Sequence, residues 1–335
     1  MTLVHVLSAA PEHTGGTKAF SELNDLIALA KRDRFGIHAL VASPGDADFI
    51  LFVEHSTDAG AYFQRVRRHE LHRRRPHDCF LFSSTDRLIP FLPGVYAGIE
   101  RSWYRSCWTR PGPYLGIGQS LDVVPGAARR DPRWLFSFVG TPHSAPVRAR
   151  VLALKHPRAL IRNTADANRN ALTPAEYADT IRDSAFVLCP RGGGTASFRL
   201  FETLLHGRVP VIISDEWMAP EGPDWTGFSL RVAEADVPHI PSLLEAREPA
   251  AAEMGRAARE AWEEWFAPEV LFHRIVEWCL DIEATAPSRG RLMRLFPYVQ
   301  LLRPYHTLRW AARSFGHGSW RLPRWLYTLL GVPTR

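Results

Sequence analysis

Short apolar runs alternate with helix-like segments along the first part of the chain. The runs come in the order "LVHVLSAA", "DFILFVEHS" and "DCFLFSSTD", and the amphipathic stretch "KAFSELNDLIALAKRD" follows the first of them. This alternation is typical of a parallel sheet whose strands are joined by helices. Ligands of such sheets gather beyond the carboxyl ends of the strands. The pattern therefore predicts an α/β fold with its site at the polar strand ends.

The same alternation recurs in the second half. We predict strands at "WLFSFVG", "AFVLCP" and "RVPVIIS", an arginine-rich helix from about Ala145, and helices at "TPAEYADTIRDS" and "SFRLFETLLHG". Thr173 is the expected N-cap of the helix that begins at Pro174, and Glu176 completes a capping box. Gly207 is expected to close the next helix. The pattern predicts two such domains facing a cleft, at 1–130 and 131–283, followed by a tail at 284–335.

Composition supports two globular domains and locates the positive charge. The chain has 335 residues, and this length exceeds what one hydrophobic core usually serves. Its content of 46% hydrophobic and 23% charged residues is typical of a globular protein. The formal net charge is +6, yet nine arginines and no acidic residue follow Glu283, so the remaining chain is mildly acidic. The basic run "RVRRHELHRRRPHD" is interpreted as a solvated helix face or loop. Nucleic acid is therefore not an expected partner.

The spacing of the cysteines and the length of the apolar runs indicate in which cellular compartment the protein is expected. The four cysteines, Cys79, Cys107, Cys189 and Cys279, have neither zinc-site spacing nor the density of a disulfide scaffold, which favours a reducing compartment. The opening "MTLVHVLSAA" lacks a basic n-region and is interpreted as a strand. No apolar run approaches the ~20 residues of a membrane span. The sequence thus predicts a cytoplasmic protein.

The stretch "CPRGGGTASFRLFETLLHG" carries the clearest chemistry. A strand that ends in three glycines before a helix leaves backbone N–H groups open to an anion, with no Cβ to keep it away. Arg191 and Arg199 would add charge-assisted contacts, and Glu202 could accept hydrogen bonds from ribose hydroxyls. These residues predict a nucleoside diphosphate site at Gly192 and Gly193. Two alternatives stay open: a tight turn made for packing, and a surface ion pair between Arg199 and Glu202.

The segment from "AFVLCPRGGG" through "VPVIISDEWMAPEGPDW" resembles the exostosin family, glycosyltransferase family 47, over roughly residues 130–245. The resemblance implies the two-Rossmann-domain GT-B architecture and an inverting sugar transfer from a nucleotide-sugar, here expected to be a UDP-sugar, without a bound metal. By position, Arg191, Ser197, Arg199 and Glu202 would hold the nucleotide. Asp215 and Trp217 would border the sugar.

Two departures from the family qualify these expectations. Animal exostosins tend to carry arginines where Gly193 and Gly194 stand, so donor contacts are expected to differ. Family members usually have an N-terminal Golgi anchor, which this sequence does not show. That difference indicates a bacterial enzyme that builds a surface polysaccharide on a glycan or lipid-linked acceptor. The alternatives are a fucosyltransferase-like enzyme with a GDP-linked donor and a non-catalytic nucleotide-sugar-binding scaffold.

An inverting transfer needs a base, which we expect from the end of a strand in the first domain. The candidates are Asp86, His55, Glu54 and His13, and we favour Asp86 and His55. In the tail, arginines interleave with aromatic residues over 290–335, which predicts peripheral attachment to an anionic membrane. The alternatives are that the tail packs back across both domains or, less favoured, binds RNA.

Replacement of Arg199 by alanine tests the donor site. We expect Arg199→Ala to weaken transfer by about 1.5–3 kcal/mol, roughly 10- to 150-fold, because a hydrogen bond to a charged group is lost. Donor affinity and the transfer rate are the measurements. An unchanged affinity and rate in a folded variant would remove Arg199 from the site.

Overall fold

The computed structural model describes residues 1–10, 18–55, 63–86, 89–117, 131–165 and 172–285. These residues form two parallel sheets with helices on their faces. The predicted tail, the predicted domain boundary near residue 130 and His13 lie outside the described residues. The domain limits therefore stay a prediction.

The first sheet has six parallel strands in the order β2-β1-β3-β4-β5-β6. The strands are β1 Thr2–Leu7, β2 His38–Leu40, β3 Phe49–Val53, β4 Cys79–Ser83, β5 Gly94–Tyr96 and β6 Thr109–Pro111. The helices are α1 Lys18–Arg32, α2 Gln64–Arg68 and α3 Glu70–Arg74, with a 3-10 turn at Arg101–Trp103. Every residue of β3 and β4 is buried. Their continuous apolar sequences are those of central strands covered on both faces.

The second sheet has five parallel strands in the order β11-β10-β9-β7-β8. The strands are β7 Trp134–Gly140, β8 Ala159–Asn163, β9 Ser184–Pro190, β10 Val209–Ile213 and β11 Leu230–Arg231. The helices are α4 Pro146–Leu152, α5 Pro174–Arg182, α6 Phe198–Leu205, α7 Trp225–Phe228, α8 Ile240–Arg247, α9 Ala251–Trp265 and α10 Leu271–Thr285. Two 3-10 segments, Glu234–His239 and Glu248–Ala250, flank α8.

Both sheets share one strand order. Counted within its own domain, each begins with the order 2-1-3-4-5, so the order reverses between β1 and β3 and again between β7 and β9. Ligands of such sheets bind outside the carboxyl ends at this reversal. The predicted fold class, two Rossmann-like α/β domains in the GT-B arrangement, is confirmed.

The last two helices connect the domains. Helix α9 packs on α6 of the second domain, whereas α10 packs on α1, β5 and β6 of the first. Helix α10 also belongs to a buried cluster that continues from Val4 to Phe201 and Ile275, so the domains share apolar core. The amphipathic sequence of α10 predicts a buried face, but it does not specify which sheet that face covers.

The predicted helix caps are confirmed. Thr173 accepts a hydrogen bond from the Glu176 backbone, and the Glu176 side chain accepts one from the Thr173 backbone, which completes the capping box. Gly207 follows α6 with φ 64°, the left-handed conformation that favours glycine. The four cysteines are free thiols. None of the described helices has the length and apolar character needed to cross a bilayer.

The close crossing of α9 and α6 yields a prediction for Gly255. A Cβ placed on Gly255 would lie 2.5 Å from the carbonyl oxygen of Gly207. Glycine to alanine in a helix normally stabilises by ~0.5–1 kcal/mol, but the clash should reverse the sign. We expect Gly255→Ala to lower the free energy of unfolding by about 1–3 kcal/mol in a denaturant titration. An exposed control on the same helix, Ala252→Gly, should cost only about 0.5–1 kcal/mol. A Gly255→Ala variant as stable as the parent protein would contradict the close crossing.

Candidate functional site

The glycine loop leaves the carboxyl end of β9 at the strand-order reversal of the second sheet. Strand β9 is buried along its whole length, and the Arg191 N–H then donates to the carbonyl of Ile213, 3.0 Å away, so the loop starts from a fixed point. Ser197 is the N-cap of α6, and its side chain makes no capping hydrogen bond. The Ser197 side chain thus does not cap the first N–H groups of α6, and the predicted anion site at this helix start stays a prediction.

Asp86 of the first domain lies against this loop. A Cβ on Gly193 would stand 2.7 Å from Oδ2 of Asp86, and a Cβ on Gly194 would overlap Oδ1 of the same carboxylate. Asp86 follows β4, so the carboxyl ends of both sheets meet here. The structure thus brings a predicted base and a predicted donor loop into contact across the cleft.

Arg148 of α4 lies beside the loop, and the sequence analysis did not select it. Its Nε donates to the carbonyl of Arg191 at 2.9 Å, and a Cβ on Gly192 would lie 3.4 Å from its Nη2. Burial and the neighbouring Arg199 lower the pKa of Arg148 to about 10, which still leaves it cationic at neutral pH. The signal was present in the predicted arginine-rich helix, but only the fold shows which arginine meets the loop.

Arg199 and Glu202 are joined through Tyr177. The Arg199 Nε donates to the Tyr177 hydroxyl at 3.1 Å, and that hydroxyl donates to Oε2 of Glu202 at 2.8 Å. Arg199 also donates to the carbonyl of Val139 and lies over the Phe138 ring at 4.7 Å. Arg199 is buried and reaches the half-buried Glu202 through the Tyr177 hydroxyl, so the alternative of a surface ion pair is wrong. Arg199→Ala would also remove contacts of the fold, so its melting temperature should be measured with its activity.

The guanidinium of Arg191 binds an acidic side chain of the second domain. It forms a two-point ion pair with Glu234, at 2.5 and 3.2 Å. The backbone N–H of Glu234 in turn donates to Asp215 at 2.9 Å. This chain of contacts holds Arg191 and Asp215 together at the end of β10, and their predicted contacts with a donor stay predictions.

Trp217 packs into the core between the domains. It is 2% exposed, and its ring meets Trp225 edge-on at 5.0 Å. Its backbone forms an antiparallel bridge with Glu100 of the first domain. The predicted place of Trp217 beside a sugar stays a prediction, because the described contacts are those of a domain junction.

A cavity of about 240 Å³ opens beside α6. Side chains from α1, the end of β4, the segment after β6 and α6 surround it: Ser21, Glu22, Asp25, Ser84, Tyr114, Phe198 and Glu202. Tyr114 and Phe198 stack at 3.8 Å across the domains, and burial raises the pKa of Asp25 and of Glu202. Carboxyl groups and aromatic faces suit a polyhydroxylated ligand that donates hydrogen bonds.

Of the other predicted bases, Glu54 is fully buried at the end of β3 and accepts hydrogen bonds from Ser8 and the Ala9 backbone at the end of β1. His55 follows it and is partly buried. The Asp86 carboxylate lies against Gly193 and Gly194 of the glycine loop. The geometry therefore favours Asp86 among the candidates.

Comparison with known proteins agrees with the resemblance over the second domain. Residues 113–247 match the Exostosin GT47 domain. The Exostosin-1 homolog of Caenorhabditis elegans is 48% identical over 71 residues, which are 21% of this chain and 19% of that protein. A probable glucuronosyltransferase of Oryza sativa subsp. japonica is 38% identical over 73 residues, 21% of this chain and 17% of that protein. The matching segment thus spans less than a fifth of each of these relatives.

Among solved structures, the chain is similar to a crystal structure of Acinetobacter baumannii MurG. The TM-score is 0.39 at 12% identity, and the alignment covers 84% of this chain and 99% of that one. The two sequence relatives come from a nematode and from rice, so the bacterial origin inferred from the sequence stays a prediction.

Proposed function

We propose that this chain is an exostosin-type inverting glycosyltransferase that takes its sugar from a nucleotide-sugar donor. The observation that carries the proposal is the contact of Asp86 with Gly193 and Gly194. This contact supports the proposal because Asp86, the candidate proton acceptor of the first domain, faces the candidate anion-binding loop of the second, and a sugar held in the cleft between them would have one on each side. The match of residues 113–247 to the Exostosin GT47 domain supports it independently.

The donor diphosphate would lie against the glycine loop. Backbone N–H groups at the start of α6 and the Ser197 hydroxyl would donate hydrogen bonds to it, and Arg148 would supply positive charge. Glu202 lines the cavity beside α6, and its carboxylate would accept hydrogen bonds from the ribose hydroxyls. The expected donor is a UDP-sugar, on the resemblance of this segment to the family.

The proposed transfer step gives each of these groups a role. Asp86 takes the proton of an acceptor hydroxyl as its oxygen attacks the anomeric carbon. The bond between that carbon and the donor diphosphate breaks, and the diphosphate leaves with its electron pair from the opposite face, which inverts the configuration. The loop N–H groups and Arg148 stabilise the negative charge that grows on the leaving group.

The acceptor would enter the cavity from the first domain. Glu22 and Asp25 of α1 would accept hydrogen bonds from its hydroxyls, and the stacked Tyr114 and Phe198 would offer an apolar face. These features suit a glycan, free or lipid-linked, and a role in polysaccharide synthesis. Peripheral attachment through residues 290–335 rests on their arginine and aromatic sequence.

Asp86→Asn tests the base. We expect the transfer rate to fall by about 100- to 10,000-fold, the usual contribution of a positioned base. Donor affinity should stay equal or rise, because a negative charge facing the diphosphate is removed. Initial rates and donor titrations measure the two effects separately. The matched control is Asp46→Asn on an exposed loop, which should behave as the parent protein. A full rate in Asp86→Asn would move the base to another residue, and His55→Gln tests the second candidate.

A thermal-shift screen against UDP, GDP, CMP and dTDP, with and without a chelator, tests the donor. A ligand at 100 times its dissociation constant adds about 2.7 kcal/mol, so a true donor should raise the melting temperature by several degrees. We expect UDP to do so and the chelator to leave that increment intact. A shift from GDP alone would favour the GDP-linked alternative. Binding without turnover, with every acceptor class tried, would favour a scaffold.

A further inference from the structure

Two histidines and a glutamate meet where α10 crosses the first sheet. His38 begins β2, and His273 and Glu277 lie one turn apart on α10. One potential ligand atom from each of the three lies within 4.8 Å of the others. The His38 Nε2 is 2.8 Å from Oε1 of Glu277, and the two imidazole rings stack with their centroids 4.9 Å apart. We call these three residues the histidine cluster.

One nitrogen of each imidazole ring in the histidine cluster lacks a hydrogen-bond partner among the described residues. His38 is 8% exposed and His273 is 6% exposed. Within the described part of the chain, Nδ1 of each ring is buried and has no hydrogen-bond partner. Buried polar atoms of native proteins are nearly always satisfied, and where the protein does not do so, a water molecule or an ion is the usual explanation.

We propose that the histidine cluster binds one divalent transition-metal ion, of the class of Zn²⁺. Imidazole and carboxylate are ligands that zinc accepts, and three protein ligands leave a fourth position for water or for the second Glu277 oxygen. Metal–ligand distances of about 2.0–2.2 Å would place the ligand atoms ~3.4 Å apart. Side chains would therefore move by about an ångström on binding.

The position of the histidine cluster separates it from sugar transfer. His38 pairs with Thr2 at the amino end of the first sheet, whereas the glycine loop and Asp86 lie at the carboxyl ends. The metal would fasten α10 to β2 and so tie the chain beyond the second sheet to the first domain. This proposal does not rest on the proposed function, and neither stands or falls with the other.

The test uses the full, tag-free chain after chelation and removal of the chelator. We titrate Zn²⁺ alone by calorimetry and Co²⁺ alone by visible absorption, and we record the melting temperature. One equivalent of metal, a cobalt spectrum of a four- or five-coordinate site and a rise of a few degrees are expected. Glu277→Gln keeps a hydrogen-bond acceptor for His38 but loses the charged ligand, and it should weaken binding by at least about 10-fold.

Controls distinguish the histidine cluster from other sites. Glu283→Gln changes an exposed carboxylate on the same helix and should bind metal as the parent protein does. His273→Asn should abolish binding, with its metal-free melting temperature as the check on folding. The absence of stoichiometric binding would overturn the proposal. Binding that survives both Glu277→Gln and His273→Asn would also overturn it, because it would belong elsewhere among the 14 histidines.

Discussion

The approach of Asp86 to the glycine loop depends on two residues that have no Cβ. Any side chain at Gly193 or Gly194 would occupy the space that the Asp86 carboxylate fills. An arginine at these positions would fit only with the domains further apart or with Asp86 turned away. The glycines and Asp86 therefore form one unit in this chain. With arginines at these two positions the loop would carry positive side chains. With glycines it offers only backbone donors, and the two domains come closer together across the cleft.

Because the glycines carry no charge, Arg148 becomes the candidate source of positive charge for a bound diphosphate. A diphosphate against bare glycine backbone would meet N–H groups but little positive charge, and Asp86 adds a negative one. Arg148 lies on the side of the loop that belongs to the second domain, fixed by its bond to the Arg191 carbonyl. Its guanidinium is also near Gly140, where a Cβ would lie 3.5 Å from Nη1. The nearer atom is Cζ of Phe138, at 2.9 Å, so the glycine at the end of β7 makes room for that ring, over which the Arg148 guanidinium lies at 5.9 Å.

Helix α6 couples this site to the core. Its outer residues Phe198 and Glu202 line the cavity, while Arg199 on its inner side binds the Val139 carbonyl of β7. Tyr177 links the inner and outer groups, because its hydroxyl touches both Arg199 and Glu202. Glu202 is consequently oriented before any ligand arrives. Less freedom is lost on binding when a contact group is already held in place.

The features that could be predicted from the sequence are those set by hydrophobic periodicity or by neighbouring residues. The long buried strands, the capping box at Thr173 and the helix end at Gly207 follow from patterns within a few residues. The three-residue strands β2, β5 and β6 were missed, since "HAL", "GVY" and "TRP" have no length from which a period can emerge. Arg148 and the histidine cluster were missed for another reason: their partners are far apart in sequence. His38 and His273 become neighbours only because α10 returns to the first sheet.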